Sequence, residues 1–112
     1  MRKFLFFSML SIIVSCSVKK VSGPVQSDID RVASVFPGYT LASLNEGTNL
    51  YEMNCNSCHG LKSPASESAK GWKNIVPEMV EKANREGKKI NPDQETLILR
   101  YLLTMGPLKK GS

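Results

Sequence analysis

The run Cys55-Asn56-Ser57-Cys58-His59 constrains this chain more than any other feature. It fits C-x-x-C-H, the spacing at which two thiols add across the vinyl groups of a porphyrin and the adjacent imidazole binds the iron. Two intervening residues let one helical turn bring both sulfurs to one edge of the macrocycle, and the next side chain then projects under the metal. Competing chemistries ask for more than the sequence holds. A structural zinc site takes about four ligands, usually with a second ligand pair further along, whereas the chain has three cysteines and one histidine in all. A thioredoxin-like dithiol sits where a strand feeds a helix in a βαβ pattern, and no such strand pattern precedes Cys55. A Cys55–Cys58 disulfide without haem would close a very short, strained loop. The reading is one covalent haem c, with Cys55 and Cys58 as its thioethers and His59 as the proximal iron ligand.

A cofactor also answers a problem of size. The chain has 112 residues, and folds below about 80 residues commonly rely on a disulfide, a metal or a cofactor to complete their core. Removal of an N-terminal leader would bring the globular part near that limit. The formal charge of +5 would fall to +3 with the loss of Arg2 and Lys3. The remaining lysine pairs, Lys19-Lys20, Lys88-Lys89 and Lys109-Lys110, are scattered. Nucleic-acid binding, which asks for a clustered basic stripe, is therefore not expected.

Arg2 and Lys3 precede an apolar run from Phe4 to Val14, the pattern of a signal peptide over residues 1–15. That run is too short to span a bilayer, which takes about 20 apolar residues. It ends in Ile13-Val14-Ser15-Cys16, which resembles the bacterial lipobox and predicts lipidation of Cys16. Ordinary cleavage near Ser15, leaving Cys16 as a stray thiol, is the alternative. An acylated Cys16 would attach the protein to a membrane by lipid, on the periplasmic side of a bacterial cell envelope. Residues 16–39, broken by Gly23-Pro24 and Pro37-Gly38, read as a flexible tether. Within them Ile29, Val32, Val35 and Phe36 have approximate helical spacing and allow a short covering helix.

The domain proper is expected over residues 40–107, with 108–112 as a frayed tail. Ser43 or Asn45 can cap a helix running to Asn54, with Leu44, Leu50 and Tyr51 inward. Gly47 lies inside it, where glycine costs about 1 kcal/mol relative to alanine, and so marks a close approach of another backbone. Trp72, Ile75, Val76, Met79, Val80 and Ala83 line one face of a second helix. Either that helix begins near Asn74, placing Pro77 in its first turn, or it bends at Pro77; Gly87 ends it. Asn91-Pro92-Asp93-Gln94 is a capping box with proline at the first helical position. It opens a last helix to about Thr104, with Leu97, Ile98, Tyr101, Leu102 and Met105 as its apolar face. Gly106-Pro107 stops it.

With His59 the only histidine, the far side of the iron is met by methionine, by a weaker ligand or by nothing. Met53 lies too near Cys55 to wrap round the ring, Met105 is buried on the last helix, and Met1 and Met9 leave with the leader. Met79 lies twenty residues past His59 and is the candidate distal ligand, although a methionine on an apolar stripe also serves as packing. Metal-bound imidazoles nearly always donate their second N–H to an acceptor; the Pro64 carbonyl is the candidate here, the alternative being that Pro64 only turns the chain.

From Leu44 to Met105 the chain resembles a small class I c-type cytochrome. A helix carrying Gly47 and Tyr51 runs into Cys55-Asn56-Ser57-Cys58-His59, and a terminal helix carries Tyr101-Leu102. More narrowly, Trp72…Val76-Pro77-Glu78-Met79-Val80, then Asn91-Pro92-Asp93 and Arg100-Tyr101-Leu102, is similar to short monohaem domains with a Trp-to-Met helix. The resemblance implies an all-α, cytochrome c-like fold of three main helices around one haem, with Gly47 against Tyr101 where the first and last helices cross. It also implies one-electron transfer to redox partner proteins, with no catalytic acid–base pair and hence no enzyme. The rival expectation is an open sixth iron position, serving a small-ligand sensor or the cytochrome subunit of a redox enzyme.

Overall fold

The computed structural model describes residues 23–55 and 60–109. Among these, every regular element is helical: α1 (Gln26–Val32), α2 (Leu41–Asn54), a 3₁₀ turn (Pro64–Ser66), α3 (Ala69–Arg85) and α4 (Pro92–Met105). The protein is all-α, as expected. No helix among the described residues is long and apolar enough to cross a membrane.

Each long helix starts where a side chain satisfies an orphan backbone N–H. Thr40 accepts from the Ser43 N–H at 3.1 Å to open α2, three residues before the expected cap at Ser43. Ser68 accepts from the Gly71 N–H at 3.0 Å to open α3. At α4 the expected capping box is complete: the Gln94 N–H donates to Asn91 Oδ1 at 2.8 Å, and the Asn91 N–H donates to Gln94 Oε1 at 3.0 Å.

Helix α3 begins earlier than expected and runs unbroken through Pro77. Pro77 is exposed, so its ring points to solvent while Trp72, Val76, Val80 and Ala83 are buried. Burial of that stripe outweighs one lost hydrogen bond, a cost of about 3 kcal/mol. Gly87, at φ +97°, closes α3 as foreseen. The Lys88 N–H reaches the Ala83 carbonyl at 3.0 Å and the Gly87 N–H the Asn84 carbonyl at 3.2 Å, the paired bonds of a Schellman turn.

Helices α2 and α4 cross at Gly47, which is buried. A Cβ there would lie 2.9 Å from the Leu97 carbonyl carbon and 3.1 Å from Tyr101 Cβ. The absent side chain lets the backbones meet, the close approach that its place in a helix predicted. Tyr51, Trp72, Val76, Ile98 and Leu102 form the main core between α2, α3 and α4.

The tether assignment needs correcting over residues 26–39. Helix α1 occupies part of that stretch, and Ile29, Val32 and Tyr39 form a second buried cluster with Leu44. The tail likewise begins later than expected, because Leu108 packs against both clusters. Arg31 fastens these parts together. Its guanidinium donates to the Thr104 carbonyl at 2.9 Å, to the Leu108 carbonyl at 3.0 Å and to Asp28 Oδ1 at 2.9 Å. A cation thus caps the C-terminal end of α4, where carbonyls lack helical partners. Burial raises the Asp28 pKa, but the Val25 N–H and the Arg31 charge outweigh it and hold the carboxyl below its ordinary value.

Arg31→Ala is expected to lower stability by about 2–3 kcal/mol, since it removes the cation paired with a buried carboxylate and the donor to the Thr104 and Leu108 carbonyls; thermal melts at neutral pH would show it. The lowered Asp28 pKa adds stability that is present above its unfolded value of 3.8 and lost as pH falls through the folded value. Asp28→Asn should therefore be less stable than wild type at neutral pH, the gap closing in acid. A pH-independent gap would refute this linkage.

Candidate haem site

Helix α2 delivers Cys55 to its C-terminal end, where the Cys55 N–H donates to the Tyr51 carbonyl at 3.0 Å. Facing it is the stripe Ile75, Met79, Lys82 and Ala83 of α3. Between them lies a cavity of about 220 Å³, lined by Cys55, Tyr51, Met79, Ile75, Ala83 and Gly60 among others. Cys55 and Gly60, the two described residues flanking positions 56–59, thus both border it. Cys58 and His59 lie outside the described residues, as do Cys16, the leader and Lys110 to Ser112.

Of the three methionines among the described residues, Met79 alone lines this cavity. It is half-buried and packs against the main core. Met53 is 73% exposed. Met105 lines a different groove, with Tyr101 and Pro64, and packs on the second cluster. The structure therefore brings Cys55 and Met79 together from two helices and keeps Met53 and Met105 apart from them.

Burial pushes the Cys55 thiol pKa up. A neutral, partly buried thiol is a poor nucleophile, unlike the low-pKa cysteine of a thiol oxidoreductase. Among the described residues no three His, Cys, Asp or Glu side chains gather to hold a metal.

The chain leaving this site is held by three helices at once. Tyr51 Oη of α2 donates to the Lys62 carbonyl at 2.7 Å, and Trp72 Nε1 of α3 donates to the Pro64 carbonyl at 2.8 Å. At the C-terminal cap of α4, Gly106 lies so close that a Cβ there would fall 2.5 Å from the Pro64 carbonyl carbon. The two donor rings meet edge to face at 6.4 Å, and Tyr101 lies 5.7 Å from Tyr51. Pro64 does more than turn the chain: its carbonyl accepts from a fully buried indole.

The roles of Tyr51 and Trp72 as donors were missed in the sequence. The available signal was that a buried Tyr or Trp must find an acceptor for its polar end, but nothing local named that acceptor. Burial pushes the Tyr51 pKa up to about 12, with Cys55 and Tyr101 adding to the effect. Tyr51 therefore keeps its proton, and its bond to Lys62, well into alkaline solution. Its contribution to stability is full below the unfolded value of 10.0 and is lost as pH rises through about 12.

Compared with known proteins, the chain matches no family model, no curated protein and no solved structure.

Proposed function

We propose that this protein is a monohaem c-type cytochrome that carries single electrons, tethered by a lipidated Cys16 to the periplasmic side of a bacterial membrane. The observation that carries the reading is the shared cavity: Cys55 of the C-x-x-C-H run and Met79 line one apolar space between α2 and α3. The described residues at the cavity support the reading. Cys55 offers a thiol for a thioether bond, Met79 a thioether for iron, and Tyr51, Ile75 and Ala83 a largely apolar wall. When bound, haem supplies one-electron exchange between ferric and ferrous iron. The chain's part is to hold the ring through Cys55 and Cys58, ligate through His59 and Met79, and exclude water from one face. Redox partner proteins of unknown identity would dock at the exposed edge, and no acid–base chemistry is assigned.

Mass spectrometry of protein produced with the haem-attachment machinery tests the central claim. The mature chain is expected to carry the added mass of one haem, and Cys55→Ser with Cys58→Ser should remove all covalent attachment. Wild-type protein without that added mass would refute the proposal. A diacylglycerol mass on Cys16 tests the tether separately.

A further inference from the structure

Resting on the lipid-anchored electron carrier proposed above, we infer that α1 is a latch, folded back on the domain, that keeps it close to the bilayer and so limits its electron exchange to partners standing at that membrane surface. The chain joins the domain much earlier than a tether over residues 16–39 implies. Gly23 and Pro24 already border a groove with Thr48 and Glu52 of α2 and Tyr101 and Met105 of α4. Beyond them Ile29, Val32 and Tyr39 are buried with Leu44, and Arg31 bonds the Thr104 and Leu108 carbonyls. Residues 17–22 are all that separate Cys16 from Gly23. Whatever path they take, that stretch spans at most about 25 Å. A tether running on to Thr40 would span up to about 85 Å.

The latch is separable from the rest of the fold. Tyr51, Trp72, Val76, Ile98 and Leu102 build the main core from α2, α3 and α4, with no residue of α1 among them. What holds α1 is the smaller cluster and the bonds of Arg31, two of which end on backbone at the C-terminal end of α4. A unit with so few buried contacts opens at a lower free energy than the core does. Opening hands residues 23–39 back to the tether. The root-mean-square reach of a flexible chain grows as the square root of its length, here from roughly 15 Å to roughly 27 Å. Closed, the latch confines the domain to a thin layer over the membrane, where partners fixed in the same bilayer are met at high local concentration. Partners held further out lie beyond its reach.

The test uses the lipidated, haem-loaded full chain on a supported bilayer of phosphatidylethanolamine and phosphatidylglycerol. Neutron reflectometry reads the height of the protein layer above the headgroups. In wild type the near edge of that layer should lie within about 25 Å of them, and Arg31→Ala should raise its mean height by roughly 10 Å. Equal profiles overturn the inference.

Hydrogen exchange separates release of the latch from loss of the whole fold. In wild type the amides of Arg31, Val32 and Phe36 should be protected, the last through its 2.9 Å bond to the Val32 carbonyl. In Arg31→Ala these should lose protection while Ile98 and Leu102 of α4 keep theirs. Wild-type α1 amides that exchange as fast as free chain overturn the latch, and so does protection lost from α1 and α4 together. A mature chain without the diacylglycerol mass on Cys16, or without haem, refutes the anchored carrier itself, a result distinct from each of these.

Discussion

Gly47→Val should be strongly destabilising. The new Cβ falls 2.9 Å from the Leu97 carbonyl carbon and 3.1 Å from Tyr101 Cβ, and real Cβ atoms essentially never come so near backbone. Leu97 lies inside α4, so it cannot move without carrying the helix with it. The helices must separate, which loosens the packing of Tyr51 against Tyr101, now 5.7 Å apart. Better helix propensity returns less than about 1 kcal/mol, against overpacking that typically costs 1–3 kcal/mol and here involves backbone. A net loss of about 3 kcal/mol is expected, on a total of about 5–15 kcal/mol. In a domain this small each kcal/mol moves Tm by roughly 4–8 °C, so the melt should shift by more than 10 °C. Gly23→Ala is the companion measurement, since nothing lies within 4 Å of a Cβ there. Equal melting of Gly47→Val and wild type would show that the crossing is not as close as described.

Gly47 also shows why some features were legible in the sequence. A glycine inside a helix is a local penalty, and the close approach that explains it follows without knowing the partner. The same holds for Asn91 and Gln94, whose capping box is complete within four residues, and for Gly87, whose left-handed backbone ends α3. The apolar stripe from Trp72 to Ala83 was readable because its period repeats over three turns. What the sequence hid depends on distant partners. Residues 26–39 read as tether because the bonds that fix them are long-range: Arg31 reaches carbonyls more than seventy residues away, which no local pattern announces. Pro77 misleads for a related reason: its local cost is certain, while the burial that offsets it is tertiary. At the cavity, the C-x-x-C-H run pointed to Cys55, and chain distance with the elimination of the other methionines pointed to Met79; both residues line it. The donors Tyr51 and Trp72 stayed hidden because their acceptors, the Lys62 and Pro64 carbonyls, are backbone atoms, and every residue has one.

On the proposed haem reading, Met79→Leu should have the largest effect on redox behaviour while leaving the fold nearly intact. The exchange conserves volume and apolar character, so the half-buried position should lose less than about 1.5 kcal/mol. What it removes is the sulfur. A methionine thioether raises the potential of haem iron relative to imidazole ligation and occupies its far side. Ferric protein should therefore lose its methionine-to-iron charge-transfer absorption, its potential should fall, and the reduced form should take up carbon monoxide, which wild type should resist. Met105→Leu provides the contrast. Met105 is also half-buried on an apolar helix face, but it lines the groove beside Tyr101 and not the cavity that holds Cys55, so its replacement should leave all three readouts unchanged. If Met79→Leu retains the absorption band, another group is the sixth ligand. If wild type lacks the band and binds carbon monoxide freely, the iron's sixth position is open, and a ligand-binding role replaces electron carriage. The two outcomes separate on the same spectra because Met79 is the one thioether among the described residues that faces the Cys55 cavity.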